Sequence, residues 1–279
     1  MWNWSHLGIF LALSLLVCLC GFKKYVYFLS IGYGFSVAVI GAAMAVMSLM
    51  GLYPSGIAHY IQFALFVIYG FRLSGFLLIR EIKNAAYRKT LAEATGDESK
   101  MPLFVKVVMW LSVAVLYVAQ TSGVAFRLFN GCESGIMQWI GIAVSAFGIG
   151  LEAVADQQKS AQKALRPDMV ATKQLYKIVR CPNYFGEILF WTGVTVSALD
   201  ILQGAGQWIT VIIAYILIVF IMFNGAQRLE KRQMARYGND AQYRAYADST
   251  PIIIPLLPIY HLNKQSDVKS SAAIEQPNR

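Results

Sequence analysis

Long apolar runs, separated by short polar stretches, make up most of this chain. A helix needs about 20 predominantly apolar residues to cross the hydrocarbon core of a bilayer. Seven runs approach or exceed that length: 4–21, 26–50, 57–79, 103–122, 135–155, 184–202 and 206–224. The pattern predicts an all-α, polytopic membrane protein with about seven transmembrane helices. We expect residues 1–262 to form a single transmembrane domain and the polar residues 263–279 to form a disordered tail.

Composition and charge agree with a membrane protein. With 57% hydrophobic and 14% charged residues, the chain is too apolar for a soluble domain. The net charge of +9 alone would suit a nucleic-acid-binding protein. However, 21 of the 24 lysines and arginines lie on one side of the predicted spans, and the opposite loops hold only Arg127. The positive-inside rule then predicts an outside N-terminus and a cytoplasmic C-terminus. Because this rule accounts for the basic residues, we expect the lipid bilayer as partner and no binding of nucleic acid.

A cluster of polar residues stands at the start of the sixth apolar run. We call it the entry motif, and it reads Arg180-Cys181-Pro182-Asn183-Tyr184-Phe185-Gly186-Glu187. Proline suits the first turn of a helix, so a helix is predicted to run onward from Asn183. Asn183 and Glu187 are four residues apart and share one helical face. A carboxylate in an apolar helix should face a partner, a cavity or a ligand, although Glu187 could also only complement the helix dipole.

A second group of charged residues lies near the end of the fifth run. Glu152 and Asp156 are four residues apart, and Lys163 continues their helical face. They could be a helix end that emerges into water with its own ion pairs, but Glu152 falls at membrane depth, where carboxylates are rare. From Lys159 to Arg180 there are six basic residues and one acidic residue. This stretch should attract anions, either lipid headgroups or nucleotide phosphates.

Tyr69 and Arg72 form a third candidate, three residues apart in the third run. An isolated arginine in a membrane span is costly unless it is paired or wetted. Arg72 could extend to the cytoplasmic headgroups, or it could line a cavity beside Tyr69. The three histidines lie far apart, and the four cysteines lack paired metal-ligand spacing, so no metal site is expected.

The entry motif resembles the C-terminal signature of the steroid 5α-reductase family and its bacterial relatives. The same superfamily includes the isoprenylcysteine carboxyl methyltransferases. The likeness extends over about residues 140–258, where Tyr237-Gly238, Tyr243, Tyr246 and the following prolines continue the pattern. The resemblance implies a cofactor half at about 135–262 and a substrate half at about 1–130. The compartment we expect is a bacterial inner (plasma) membrane.

The resemblance also implies roles for individual residues. Asn183 and Glu187, with Tyr184 beside them, would contact the nicotinamide side of NADPH. The other residues implied to bind the cofactor are Glu152, Asp156 at the ribose or amide groups, Lys163 at a phosphate, Tyr176 and Arg180 flanking the nucleotide, and Arg228 and Glu230 in a closing helix. Tyr69 is the candidate hydrogen-bond donor to the substrate carbonyl, and Arg72 would hold the Tyr69 side chain in place.

The implied function is an NADPH-dependent oxidoreductase of C=C bonds. It would deliver hydride to the β-carbon of a lipophilic enone, such as a 3-oxo-Δ4 steroid or an isoprenoid. The chain departs from the family at Cys181, where bacterial relatives carry histidine, and its first acidic residue is Glu81, whereas steroid reductases use a glutamate in an early span. Two alternatives stay open: an S-adenosylmethionine-dependent membrane methyltransferase, and a non-enzymatic lipid-binding membrane protein.

Overall fold

The computed structural model describes residues 2–83, 88 and 101–263, and within them it contains helices and no strand. The helices are α1 (Trp4–Cys18), α2 (Ile31–Leu49), α3 (Ile57–Lys83), α4 (Leu103–Phe129), α5 (Ile136–Leu165), α6 (Leu175–Ile178), α7 (Pro182–Val196), α8 (Gly204–Tyr237) and α9 (Ala241–Ser249). Two short 3-10 turns, Leu19–Phe22 and Tyr25–Leu29, join α1 to α2. The predicted tail lies outside the described residues from 264 onward.

Six segments of the described chain are long and apolar enough to cross a membrane. They are Trp4–Phe22, Tyr25–Leu49 and the four helices α3, α4, α5 and α8. The prediction of an all-helical, multi-pass membrane protein is therefore confirmed. The predicted span at 184–202 is not among the six, because α7 has only 15 residues and ends at Val196. The predicted number of seven transmembrane helices is therefore not confirmed.

The end of α7 is fixed by a buried arginine. Arg127 is 1% exposed and donates from Nε and Nη2 to the backbone carbonyl of Ser197, at 3.0 and 2.8 Å. It also forms an ion pair with Asp200. Carbonyls at a helix end need hydrogen-bond donors from outside the helix. Arg127 supplies two such donors to the carbonyl of Ser197, the residue directly after α7. Ser197 accepts a further bond from Gln62 Nε2 at 2.6 Å, and Gln138 donates to Gln62.

The chain divides into two compact units. The N-terminal unit contains Met1–Ala143 and Gly193–Tyr215, and the C-terminal unit contains Val144–Thr192 and Ile216–Arg279. In the N-terminal unit, α2 and α3 pack through small residues: a Cβ on Gly34 would lie 2.8 Å from the carbonyl oxygen of Gly70. Ser74 strengthens this contact by donating to Ile31 O at 2.8 Å. Small residues of this kind let membrane helices approach closely.

Candidate functional site

The entry motif lies in the C-terminal unit, and its helix begins where the sequence predicts. α7 starts at Pro182 and includes Asn183, Tyr184 and Glu187. The two residues before it pair with a segment that we call the C-terminal strap, residues 251–263. Arg180 N donates to Pro251 O and Cys181 N to Ile252 O, both at 2.8 Å. The strap therefore holds the start of α7 by its backbone.

Gly186 brings α7 against α5. A Cβ on Gly186 would lie 2.8 Å from Gly148 O and 2.9 Å from Glu152 N, so the two helices touch at the backbone. Glu152 and Glu187, which flank this contact, are each 4% exposed. Glu187 Oε1 accepts a hydrogen bond from Trp191 Nε1 at 3.0 Å, one turn further along α7. Both carboxylates thus lie inside the protein, as expected for charged groups in apolar helices.

Tyr184 lies where three helices of the C-terminal unit meet. A Cβ on Gly225 in α8 would lie 3.3 Å from Tyr184 Cε2. The charges of Arg232 and Arg228 in α8 and of Asp156 in α5 act on the Tyr184 hydroxyl. Asn183 is half-buried at the same end of α7. The fold therefore gathers an amide, a phenol, a carboxylate and two exposed arginines in one region.

Tyr176 ties this region to the rest of the unit. Its hydroxyl donates to Ala155 O at 3.2 Å, and its own carbonyl accepts from the Tyr246 hydroxyl at 2.6 Å. Burial raises the pKa of Tyr176, and the nearby Asp156 carboxylate raises it further. Tyr176 is therefore a neutral hydrogen-bonding group beside Asp156 at any physiological pH.

Arg180 and Glu230 bind each other. Arg180 Nη2 donates to Glu230 Oε1 at 2.9 Å and also to Tyr260 O, and both side chains are 2% exposed. Glu230 Oε2 accepts from Leu262 N at 2.9 Å, Asn263 N at 3.1 Å and Asn263 Nδ2 at 2.8 Å. The pair, which the resemblance implies at the nucleotide, thus anchors the strap to α8.

His261 extends this anchor toward the surface. Its Nδ1 lies 3.0 Å from Glu230 Oε1 and its Nε2 lies 2.9 Å from Asp248 Oδ1 on α9. No local sequence pattern marks His261, Asn263 and Asp248 as candidates for this site. The return of the strap to α8 brings His261 and Asn263 to Glu230, and His261 in turn meets Asp248 on α9.

Lys163 lies at the end of α5, close to the end of α8. Its Nζ donates to the Tyr237 hydroxyl at 3.1 Å and to Pro167 O at 3.2 Å. The ammonium also stands 5.4 Å from the centre of the Tyr237 ring. This half-buried cation lies in the same unit as Arg228 and Arg232.

Tyr69 and Arg72 lie in the N-terminal unit. Tyr69 is fully buried, and its ring meets Tyr33 edge-on at a centroid distance of 6.0 Å. Arg72 is half-buried one turn further along α3. Tyr69 therefore points into its unit and not toward lipid.

The comparison with family models assigns the chain. A model of the DUF1295 family, described as "protein of unknown function", matches residues 27–250. This chain belongs to the DUF1295 family. No curated protein and no solved structure matches it. The matched segment of this DUF1295 protein contains every residue named as a site candidate, from Tyr69 to Glu230, and stops just before the strap.

Cys181 of this DUF1295 protein lies in the core of the C-terminal unit. It is 3% exposed and packs in a core with Ile188, Ala226 and Ile252. Burial raises the pKa of the Cys181 thiol to about 11. Because the thiolate is the reactive form of cysteine, Cys181 is inert near neutral pH and serves packing. Among the described residues, no group of His, Cys, Asp and Glu is arranged to hold a metal ion.

Proposed function

We propose that this protein is an NADPH-dependent membrane reductase of a lipophilic enone, with the cofactor held by the C-terminal unit. The observation that carries the proposal is the gathering of Asn183, Tyr184 and Asp156 beside Arg228 and Arg232. These residues come from three helices that are distant in sequence. They supply the types of group that a phosphorylated nicotinamide nucleotide requires.

The chemistry of these side chains fits NADPH group by group. Arginines bind phosphates through charge-assisted and often bidentate hydrogen bonds, and Arg228 and Arg232 are exposed and available. Asp156 can accept from ribose hydroxyls, and Asn183 can both donate to and accept from a carboxamide. NADPH would supply the hydride, and the protein would supply binding, orientation and exclusion of water.

The buried partners give this region rigidity. The Arg180–Glu230 pair and the strap hold the residues just before Asn183, while Gly186 seats the next turn of α7 on α5. A reductase needs its cofactor held in a fixed orientation, because a displacement of about 1 Å can cost about a hundredfold in rate. We infer that Arg180 and Glu230 act on the cofactor through the position of Asn183 and do not contact it.

Tyr69 is the proposed donor to the substrate carbonyl. A neutral phenol donates a hydrogen bond that strengthens as negative charge develops on the carbonyl oxygen during hydride addition. Its burial against Tyr33 keeps water away from the hydroxyl. Arg72, one turn away on α3, is proposed to hold Tyr69 in place.

Activity assays test the assignment of the entry motif. Asn183→Ala and Glu187→Gln should each lower kcat/KM for NADPH-dependent reduction of a lipid enone at least tenfold, while the proteins still fold in detergent. The matched control is Asn224→Ala. Within the part of the chain that the structure describes, the Asn224 amide donates to Phe220 O in its own helix, at 2.8 Å, and makes no other hydrogen bond. Normal turnover by both site variants would show that the cofactor is not held by this motif.

The orientation in the membrane is also proposed. We place the N-terminus outside and the C-terminus in the cytoplasm of a bacterial inner membrane, with α7 as a seventh and shorter membrane element. The distribution of lysine and arginine supports this orientation. Reporter fusions should find the loop at 23–24 in the cytoplasm and the loop at 131–135 outside. The reverse pattern would contradict the proposed topology and move the cofactor region to the wrong side for NADPH.

A further inference from the structure

Gln120 stands out among the buried polar residues of the N-terminal unit. It lies in the membrane-spanning helix α4 and is 5% exposed. Neither its amide oxygen nor its amide nitrogen has a hydrogen-bond partner within the described part of the chain. A buried amide without partners costs free energy that a leucine would not. Buried side-chain polar atoms are usually bonded, so each exception calls for an explanation.

The polar neighbours of Gln120 behave differently. Thr121 Oγ1 donates to Tyr117 O at 3.1 Å, and Ser122 Oγ donates to Ala119 O at 2.6 Å, so both hydroxyls are satisfied by their own helix. The other buried glutamines of this unit also use their amides. Gln62 donates to Ser197 Oγ at 2.6 Å, Gln138 donates to Gln62 at 3.2 Å, and Gln207 accepts from Asn130 at 3.1 Å. Gln120 alone among these glutamines leaves both amide atoms unused.

Three buried tyrosines form an aromatic cluster that begins one turn from Gln120. Tyr117 lies one turn away on the same face of α4. Its ring lies 4.9 Å from that of Tyr33, which in turn meets Tyr69 at 6.0 Å. Tyrosine rings present broad apolar faces with a polar edge. These buried rings make the interior beside this turn of α4 aromatic, which suits the apolar body of an amphiphile whose polar group binds Gln120.

We propose that Gln120 binds the hydroxyl group of a neutral lipid alcohol in the N-terminal unit. A primary amide donates through nitrogen and accepts through oxygen, so two unused amide atoms match a group that both accepts and donates. A hydroxyl does both. A ketone or ester carbonyl only accepts, and a charged headgroup would find no counter-charge in the amide. The proposal concerns the N-terminal unit and holds whether or not the protein reduces an enone.

Binding of paired probes to the full-length protein in detergent, without NADPH, tests this site. The probes are dehydroergosterol and geranylgeraniol, each compared with its acetate ester, so that polycyclic and linear alcohols are separated. The wild-type protein should bind at least one free alcohol about tenfold more tightly than its ester. Gln120→Leu and Gln120→Met should reduce that preference to less than twofold.

Controls separate a ligand site from a structural role. Thr121→Val should keep the preference for the alcohol, because the Thr121 hydroxyl is bonded to its own helix. In the absence of lipid, Gln120→Leu should unfold at the same temperature as the wild type or higher, since it removes an unsatisfied amide. Equal binding of alcohol and ester by the wild type, or an unchanged preference in both Gln120 variants, would overturn the proposal and leave water as the partner of this amide.

Discussion

Glu230→Leu should destabilise the C-terminal unit by about 3–5 kcal/mol, the largest effect we expect from a single substitution. The change leaves the Arg180 guanidinium buried at 2% exposure without its carboxylate. It also removes the acceptor of Leu262 N and Asn263 N, so the strap loses these bonds to α8 and keeps those that Gln227 makes with Leu262 O and Asn263 Nδ2. Thermal unfolding in detergent measures the loss, and limited proteolysis should show earlier cleavage within the strap.

Two further variants separate the buried pair from its surface extension. Arg180→Met combined with Glu230→Leu should recover part of the stability, because an apolar pair leaves no unpaired charge behind. Asp248→Asn should cost less than about 1 kcal/mol, because the Asp248 side chain is 62% exposed and its contact with His261 Nε2 faces solvent. A loss for Asp248→Asn as large as that for Glu230→Leu would contradict the assignment of Glu230 as the anchor.

Gly186→Ala should lower the free energy of unfolding by about 1–3 kcal/mol, although alanine usually stabilises helices. The new methyl group would lie 2.8 Å from Gly148 O and 2.9 Å from Glu152 N, so α5 and α7 must separate. Because Asn183 and Glu187 lie on α7 and Glu152 and Asp156 on α5, cofactor binding should weaken as well. Thermal unfolding and nucleotide titration measure the two effects.

Gly150→Ala is the matched control for Gly186→Ala. Gly150 lies on α5 two residues from Gly148, and a Cβ there would meet nothing within 4 Å. This substitution should leave nucleotide binding unchanged and raise stability by up to about 1 kcal/mol through helix propensity. If the two alanine variants behave alike, close packing at Gly186 does not determine the geometry of the site.

The fold could be predicted largely from hydropathy, because burial in lipid requires long apolar helices whose backbone bonds are internal. The span at 184–202 was the exception. Its composition is apolar enough, but Arg127, about 70 residues earlier in sequence, binds the carbonyl of Ser197 and Asp200 beyond the helix end. Hydropathy cannot show such a tertiary partner.

Part of the candidate site could also be predicted from hydropathy. The positions of Glu152 and Glu187 within apolar runs indicated burial, and both are buried. The start of α7 at Pro182 followed from the geometry of proline. The partners of Arg180 and Glu230 did not follow from any local pattern, because the two residues are 50 positions apart and share a strap that arrives from the end of the described chain. Two charged residues that could each bind a ligand, judged from the sequence, can bind each other in the fold.

The measurement that tests the central claim most directly is titration of the purified wild-type protein with NADPH, NADH and S-adenosylmethionine. Binding of the nicotinamide nucleotides is detected by their fluorescence, and binding of all three compounds by calorimetry. We predict saturable binding of NADPH at least tenfold tighter than that of NADH. That preference should shrink at high salt, because exposed arginines would contact the extra phosphate. S-adenosylmethionine should not compete. Binding of S-adenosylmethionine without binding of either nicotinamide nucleotide would contradict the reductase and favour a membrane methyltransferase.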